Sequence, residues 1–195
     1  MEQKELSVLD WAICLAVQVH AGMERKKDGV PYILYPMEAT VIASTITADP
    51  EVQAAMMLHD TVEDAGVTVE EIRAACGERV AALVRSETED KYRERPAGET
   101  WMQRKTEALE ELKKAGDPGV RIMFLADKLA NMRSFFRLFR KDGPAIWNGF
   151  NEKDPQKQEW YYRAVSELTK DLSGTDAWQE YTRLVDAVFG GEKDV

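Results

Sequence analysis

The stretch AAMMLHDTVEDAGVTVEEI, residues 54–72, changes abruptly from apolar to acidic at His59. Residues three and four apart share a face of a helix, so Glu63 is expected to lie over His59 and Asp60, with Asp64 one turn beyond Asp60. An imidazole beside a carboxylate suits a divalent metal, and a neighbouring carboxylate can take a proton from water. The stretch predicts either a metal-dependent hydrolytic site or a helix leaving the core with a His–Asp hydrogen bond and solvated acids.

The surrounding sequence has a helical period almost throughout. Apolar residues recur at three- and four-residue steps from Leu6 to His20. Asp49-Pro50 opens a helix to about Glu63, and Thr68 with Glu71 has the spacing of a capping box. Further helices are predicted at residues 36–47, 68–75, 79–85, 100–115, 120–141, 156–172 and 177–189.

The length and this pattern predict an all-α protein. We expect one helical bundle of about eight to ten helices, forming a single domain over residues 1–195. The motif-bearing core spans about 9–137, and C-terminal helices span about 144–190.

The composition narrows the class of protein. The 195 residues include 35 acidic and 26 basic side chains, for a net charge of −9, which argues against a nucleic-acid partner. No apolar run reaches the roughly 18 residues of a membrane helix, so no membrane partner is expected. The N-terminus lacks the pattern of an export signal, and Cys14 and Cys76 suit a reducing compartment, so we expect a cytoplasmic protein.

A second polar group interrupts the apolar sequence FLADKLANMRS, residues 124–134. Asp127 follows apolar residues, and Asn131 and Ser134 continue its stripe along a helix. A buried carboxylate needs a partner, which a bound metal ion would supply. A salt bridge to a nearby cation is the alternative, from Arg121 or Lys128.

Basic residues form two further candidates. Arg25, Lys26 and Lys27 lie in the first predicted loop, and Arg104-Lys105 lies in a later helix. Basic pairs of this kind are usually solvated surface. A guanidinium group can also bind phosphate oxygens and stack on a ring, so Arg25, Lys26 and Arg104 are candidate nucleotide contacts.

Taken in order, these motifs resemble the hydrolase domain of RelA/SpoT proteins, and most closely the small stand-alone alarmone hydrolases. The resemblance runs from about Leu9 to Arg137 and rests on HAGMERKKDGVPYILYP (20–36), LHDTVEDAGVTVEEI (58–72), CGERV (76–80) and LADKLANMRS (125–134). An ordered set of this kind is far more specific than any one motif.

The resemblance implies an all-helical HD domain that removes the 3′-pyrophosphate from ppGpp and pppGpp with the help of Mn²⁺. Some stand-alone members also dephosphorylate NADPH. The implied metal ligands are His59, Asp60 and Asp127, and the implied water-activating acids are Glu63 and Asp64. The implied contacts to the guanosine nucleotide are Arg25, Lys26, Tyr32, Asn131 and Ser134.

Ser134 stands where the family commonly has threonine, which is a mild change, and one other departure is serious. The family has a histidine ligand immediately before the proline of PYI-x-HP, whereas this chain has Tyr35 in PYILYP, and His20 matches a different family histidine. A phenol with a pKa of about 10 is a poor ligand at neutral pH unless the metal lowers that pKa. Tyr35 can coordinate as a phenolate, water can fill its place, or the metal can be lost. We expect a retained architecture with a weakened metal site.

The sequence therefore predicts a ppGpp 3′-pyrophosphohydrolase-like enzyme that uses one divalent metal. The alternatives are an HD phosphohydrolase of another nucleotide such as NADPH, and a non-catalytic nucleotide-binding module whose metal site has decayed at Tyr35.

Overall fold

The computed structural model describes residues 5–25 and 29–190, and in these residues it contains helices, an isolated β-bridge between Glu24 and Pro31, and no strand. The all-α prediction is confirmed. Cα positions divide the chain into two compact units, Met1–Thr88 and Glu89–Val195. The single domain over residues 1–195 stays a prediction.

The first unit is built around a buried helix. Its helices are α1 Val8–Val19, α2 Leu34–Ile46, α3 Pro50–Leu58, α4 Thr61–Ala65, α5 Val69–Cys76 and α6 Glu78–Glu87. Helix α3 packs against α1, α2 and α6, and its residues 54–58 are all buried. A helix that is apolar on every side is expected in a core. The apolar half of the deciding stretch therefore anchors His59 inside this unit.

Local sequence signals set several helix starts. Thr68 and Glu71 form the predicted capping box, since Thr68 Oγ1 accepts a hydrogen bond from the Glu71 N–H at 3.2 Å and the Thr68 N–H donates to Glu71 Oε2 at 2.8 Å. Asp49 caps α3 by accepting from the Glu51 N–H at 3.0 Å, and Pro50 takes the first helical position.

One predicted helix is wrong. The helix expected from Glu51 to Glu63 ends at Leu58, and α4 begins at Thr61. The Thr61 hydroxyl donates to the Leu58 carbonyl at 2.7 Å and so satisfies one of the last carbonyl groups of α3. His59 and Asp60 keep right-handed backbone angles, so the residues after the break remain close to helical spacing.

The second unit also has one long central helix. Its elements are α7 Ala97–Lys114, α8 Pro118–Asp142, a 3₁₀ segment Gly143–Gly149, α9 Pro155–Leu168, a 3₁₀ segment Lys170–Leu172 and α10 Asp176–Phe189. Helix α8 packs against α7, α9 and α10, and every residue from 123 to 130 is buried. The predicted polar group at Asp127 therefore lies in its most buried part. No helix among the described residues is long and apolar enough to cross a membrane.

Candidate active site

His59 is held in one orientation at the end of α3. Its side chain is 3% exposed, and Nδ1 lies 2.7 Å from the Met56 carbonyl oxygen. A carbonyl can only accept, so a proton sits on Nδ1, and whenever the imidazole is neutral its lone pair is on Nε2. Nε2 lies 3.3 Å from Asp60 Oδ2. This is how a metal-binding histidine is commonly oriented.

Opposing effects act on the pKa of His59. Burial alone would lower this pKa, but the Asp60 carboxylate, the Met56 carbonyl and Glu87 raise it, and the net direction is upward. A cation is therefore favoured at this position, either as a proton on the imidazole or as a metal ion at Nε2.

Three carboxylates meet directly after His59. Asp60, Glu63 and Asp64 each offer an oxygen, and these oxygens lie within 4.8 Å of one another. Asp60 and Glu63 are partly buried, whereas Asp64 is exposed. Like charges at this separation repel, so a cation would stabilise the group. The sequence prediction that these acids share one place is correct in spite of the helix break.

Tyr32 joins two of these acids from the segment before α2. Its hydroxyl lies 2.6 Å from Asp60 Oδ2 and 3.1 Å from Asp64 Oδ2, and it donates to these carboxylates. Burial, followed by the charge and hydrogen bond of Asp60 and those of Asp64, raises the pKa of Tyr32 far above its usual range. The phenol therefore stays protonated and remains a donor at every physiological pH.

Tyr35 lies beside His59 and under Arg25. The Tyr35 side chain is 7% exposed, and its ring centroid is 5.6 Å from that of His59. The Arg25 guanidinium carbon lies 4.2 Å from the centre of the Tyr35 ring. Lys26, predicted together with Arg25, lies outside the described residues.

His20 packs against the other ring of this segment. Its ring centroid is 4.9 Å from that of Tyr32, and the side chain is 2% exposed. Neither ring nitrogen has a hydrogen-bond partner among residues 5–25 and 29–190. Burial lowers the pKa of His20 despite the nearby Asp60 and Asp64, so the ring is a neutral packing element.

In the second unit, Asp127 is buried on α8, and its polar neighbours include Lys128 and Asn131. Lys128 donates to Asp127 Oδ2, and Asn131 Nδ2 donates to Asp127 Oδ1 at 3.3 Å. Of the two cations proposed as salt-bridge partners, Lys128 makes the contact, whereas Arg121 lies 3.9 Å from Asp171. Ser134, one turn further, is buried and accepts a hydrogen bond from Arg137 at 3.0 Å.

Arg104 belongs to an ion cluster that the sequence did not predict. Glu89 accepts from Arg104 at 3.0 Å and from Lys105 at 2.6 Å, and all three side chains are largely buried. Lys105 also lies 5.0 Å from the centre of the buried Tyr161 ring. Glu89 was missed because it lies in a polar stretch, Glu87 to Glu99, where nothing in the spacing distinguishes one acid from another.

Comparison with known proteins shows the family to which the chain is similar. The family model described as HD domain matches residues 12–155. A protein of Danio rerio named guanosine-3′,5′-bis(diphosphate) 3′-pyrophosphohydrolase MESH1 is 33% identical over 181 residues, which cover 91% of each chain.

Longer proteins and a solved structure also match. The GTP pyrophosphokinase of Streptomyces coelicolor is 35% identical over 142 residues, and the chain spans only 16% of the length of that relative. The solved structure of a metazoan ortholog of SpoT that hydrolyses ppGpp superimposes with a TM-score of 0.70, at 24% identity, over 93% of this chain and 96% of that one. At this identity the superposition shows a shared fold.

Proposed function

The chain belongs to the HD-domain family, and we propose that it is a divalent-metal-dependent hydrolase that removes the 3′-pyrophosphate from ppGpp and pppGpp. Similarity over 91% of the length of a relative that carries this activity in its name supports the reaction. The HD motif supports the chemistry, because His59 and three carboxylates lie together at the end of α3.

The donor atoms of this group suit a divalent metal such as Mn²⁺. His59 Nε2 and a carboxylate oxygen of Asp60 are ligands that Mn²⁺ accepts, and the mutual repulsion of the acids favours a bound cation. Asp127 is the further carboxylate ligand of the proposal. Tyr35 stands where the family has its histidine ligand, and water can fill the coordination position that a neutral phenol leaves open. A divalent cation held there would supply Lewis acidity towards a phosphoryl oxygen.

Glu63 and Asp64 are the proposed acids that orient water and take its proton. The water oxygen then bonds to phosphorus while the bond from that phosphorus to the ribose 3′-oxygen breaks, which releases pyrophosphate and GDP from ppGpp. Tyr32 supports this step indirectly, because its neutral hydroxyl holds Asp60 and Asp64 in a fixed relation. A fixed base needs little rearrangement before it acts.

The proposal also includes contacts to the guanosine nucleotide, which are Arg25, Lys26, Tyr32, Arg104, Asn131 and Ser134. The half-buried Arg25 supports it best, because a guanidinium can bind phosphate and stack on a base. Arg104 is the weakest of the set, since Glu89 already engages it. A cytoplasmic location is also part of the proposal, supported by the free thiols of Cys14 and Cys76.

Substitution of the two acids tests the reaction. Glu63→Gln and Asp64→Asn keep the side-chain size but remove the proton acceptor, so we expect both variants to fold and pyrophosphate release from ppGpp to fall by about 10²- to 10⁴-fold. Glu70→Gln is the matched control, because Glu70 is an exposed acid on α5 and should leave the rate unchanged. Unchanged rates in Glu63→Gln and Asp64→Asn would contradict the assignment.

Two parallel assays separate the alternatives. NADPH offered under the same conditions distinguishes a phosphohydrolase of another nucleotide. The second alternative is a non-catalytic nucleotide-binding module, and it is favoured by the presence of Tyr35 where the family has a histidine ligand. In that case ppGpp would bind equally well with and without a chelator, and no turnover would appear at any metal concentration.

A further inference from the structure

We propose that Tyr35 is a positioning residue whose aromatic ring, rather than its hydroxyl group, holds the Arg25 guanidinium beside the acidic motif. The proposal rests on the proposed function, because it makes the ring a determinant of nucleotide affinity. It assigns a use to the residue that stands in place of the family's histidine ligand.

The first step is the contact between the two side chains. The guanidinium carbon of Arg25 lies 4.2 Å from the centre of the Tyr35 ring, well inside the roughly 6 Å over which a ring attracts a cation. The ring is 7% exposed, so little water competes for this contact. A planar guanidinium stacks on an aromatic ring better than an ammonium does.

The second step is that the ring itself is fixed. It meets the His59 ring at a centroid distance of 5.6 Å and the Tyr32 ring at 6.1 Å in an edge-to-face arrangement. Tyr32 in turn is hydrogen-bonded to Asp60 and Asp64. A chain of packed rings therefore sets the place of the guanidinium relative to the acidic group.

The third step is that the backbone at Arg25 is also fixed. The Arg25 N–H donates to the Val30 carbonyl at 2.9 Å, and the Gly29 N–H donates to the Arg25 carbonyl at 3.0 Å. Gly29 has φ of +67°, a conformation that favours glycine. With its backbone and its guanidinium both held, Arg25 is pre-organised to bind an anion next to the site of hydrolysis.

The alternative use of Tyr35 is as a metal ligand through its hydroxyl group, and two variants separate the uses. Tyr35→Phe keeps the ring and removes the hydroxyl group. Tyr35→Leu removes the ring and the hydroxyl group. If Tyr35→Leu does not fold, Tyr35→Met is used in its place.

The contact is tested first in the metal-free protein by NMR. Protons above the face of a ring are shifted upfield, so the Arg25 Nε–H and δ-methylene resonances should be shifted in the parent and in Tyr35→Phe, and should return to ordinary positions in Tyr35→Leu. Arg25→Lys identifies these resonances. Ordinary positions in the parent would overturn the proposal.

The role is then tested by steady-state hydrolysis of ppGpp at saturating Mn²⁺. Tyr35→Leu should raise KM by about three- to tenfold with a smaller effect on kcat. Tyr35→Phe should have the KM of the parent, because it keeps the ring. In an Arg25→Gln background, Tyr35→Leu should change KM by less than about twofold, because a residue that acts through Arg25 has no further effect once Arg25 is gone.

Each outcome decides between distinct failures. The positioning role would be overturned, and the hydrolase left intact, if Tyr35→Phe raised KM and lowered kcat as much as Tyr35→Leu does. It would also be overturned if the effect of Tyr35→Leu on KM were as large in the Arg25→Gln background as in the parent. Upfield-shifted Arg25 resonances in a protein that neither binds nor hydrolyses ppGpp would refute the proposed function and the affinity role together, with the ring contact itself upheld.

Discussion

The Tyr32 hydroxyl group donates a hydrogen bond to Asp60 Oδ2 at 2.6 Å, across 28 positions of sequence. The same carboxylate oxygen lies 3.3 Å from His59 Nε2, and the same hydroxyl lies 3.1 Å from Asp64 Oδ2. One phenol therefore ties the His–Asp pair to the acid beyond it. The arrangement of residues 59–64 therefore depends on Tyr32, which lies outside this stretch of sequence.

Loss of this hydroxyl should affect both folding and turnover. Tyr32→Phe leaves Asp60 and Asp64 without their shared donor, so the free energy of unfolding should fall by about 1–3 kcal/mol and kcat should fall by about tenfold. Urea unfolding in the presence of a chelator measures the first, and pyrophosphate release at saturating Mn²⁺ measures the second.

Tyr92→Phe is the matched control, because the Tyr92 hydroxyl donates to the carboxylate of Glu107 at 2.9 Å and Glu107 is not one of the acids assigned to metal binding or water activation. It should leave kcat unchanged. Equal effects of the two substitutions on kcat would show that the Tyr32 hydrogen bond has no special place in the reaction.

Substitution of Asp127 tests whether this residue is a metal ligand or only the salt-bridge partner of Lys128. Asp127→Asn removes the partner of Lys128 in either case, so the metal-free protein should be less stable. If Asp127 is a ligand, the affinity for Mn²⁺ should also fall by more than about tenfold. Titration of Mn²⁺ by the electron paramagnetic resonance signal of the unbound ion measures this affinity.

Asp142→Asn serves as its control, because Asp142 is an exposed acid at the end of the same helix. A loss of stability in Asp127→Asn with parental Mn²⁺ affinity would leave the residue as a salt-bridge acid and remove it from the proposed ligand set.

The Glu89 cluster should make stability depend on acid pH. Burial alone would raise the pKa of Glu89, but Lys105, Lys128 and Arg104 together hold it below its ordinary value of 4.5. The ionised carboxylate therefore stabilises the fold fully above pH 4.5 and ceases to do so as the pH falls through the lowered pKa.

Glu89→Gln tests this dependence, and it should cost about 3 kcal/mol at neutral pH because two buried cations lose their partner. The difference from the parent in free energy of unfolding should stay constant from neutral pH to about pH 5 and shrink in more acidic solution. A difference that is equally large at about pH 3 would contradict the lowered pKa.

Signals that operate within one turn of a helix were readable from the sequence. The capping box of Thr68 and Glu71 and the Asp49-Pro50 start follow from local hydrogen bonding, and both occur where predicted. The buried position of Asp127 follows from its apolar neighbours. The co-location of Asp60, Glu63 and Asp64 follows from helical spacing.

Contacts between distant segments were not readable in this way. Neither the hydrogen bond from Tyr32 to Asp60 nor the contact of Arg25 with the Tyr35 ring has a signal in the spacing of the sequence. The first depends on the packing of α2 against α3, and the second on the backbone hydrogen bonds that join Arg25 to Val30 and Gly29. The helix break at His59 has no signal in the helical period of the sequence, although the Thr61 hydroxyl bonds the Leu58 carbonyl there. Glu89 became recognisable only once Arg104 and Lys105 were placed around it.

The most direct test is the release of pyrophosphate from ppGpp at rising Mn²⁺, measured for the parent protein and for Tyr35→His. We expect no release with a chelator, release by the parent at high Mn²⁺, and half-maximal release by Tyr35→His at a Mn²⁺ concentration lower by about tenfold, because an imidazole is a better ligand than a phenol. The absence of pyrophosphate release from both folded proteins at saturating Mn²⁺ would contradict the proposed hydrolase.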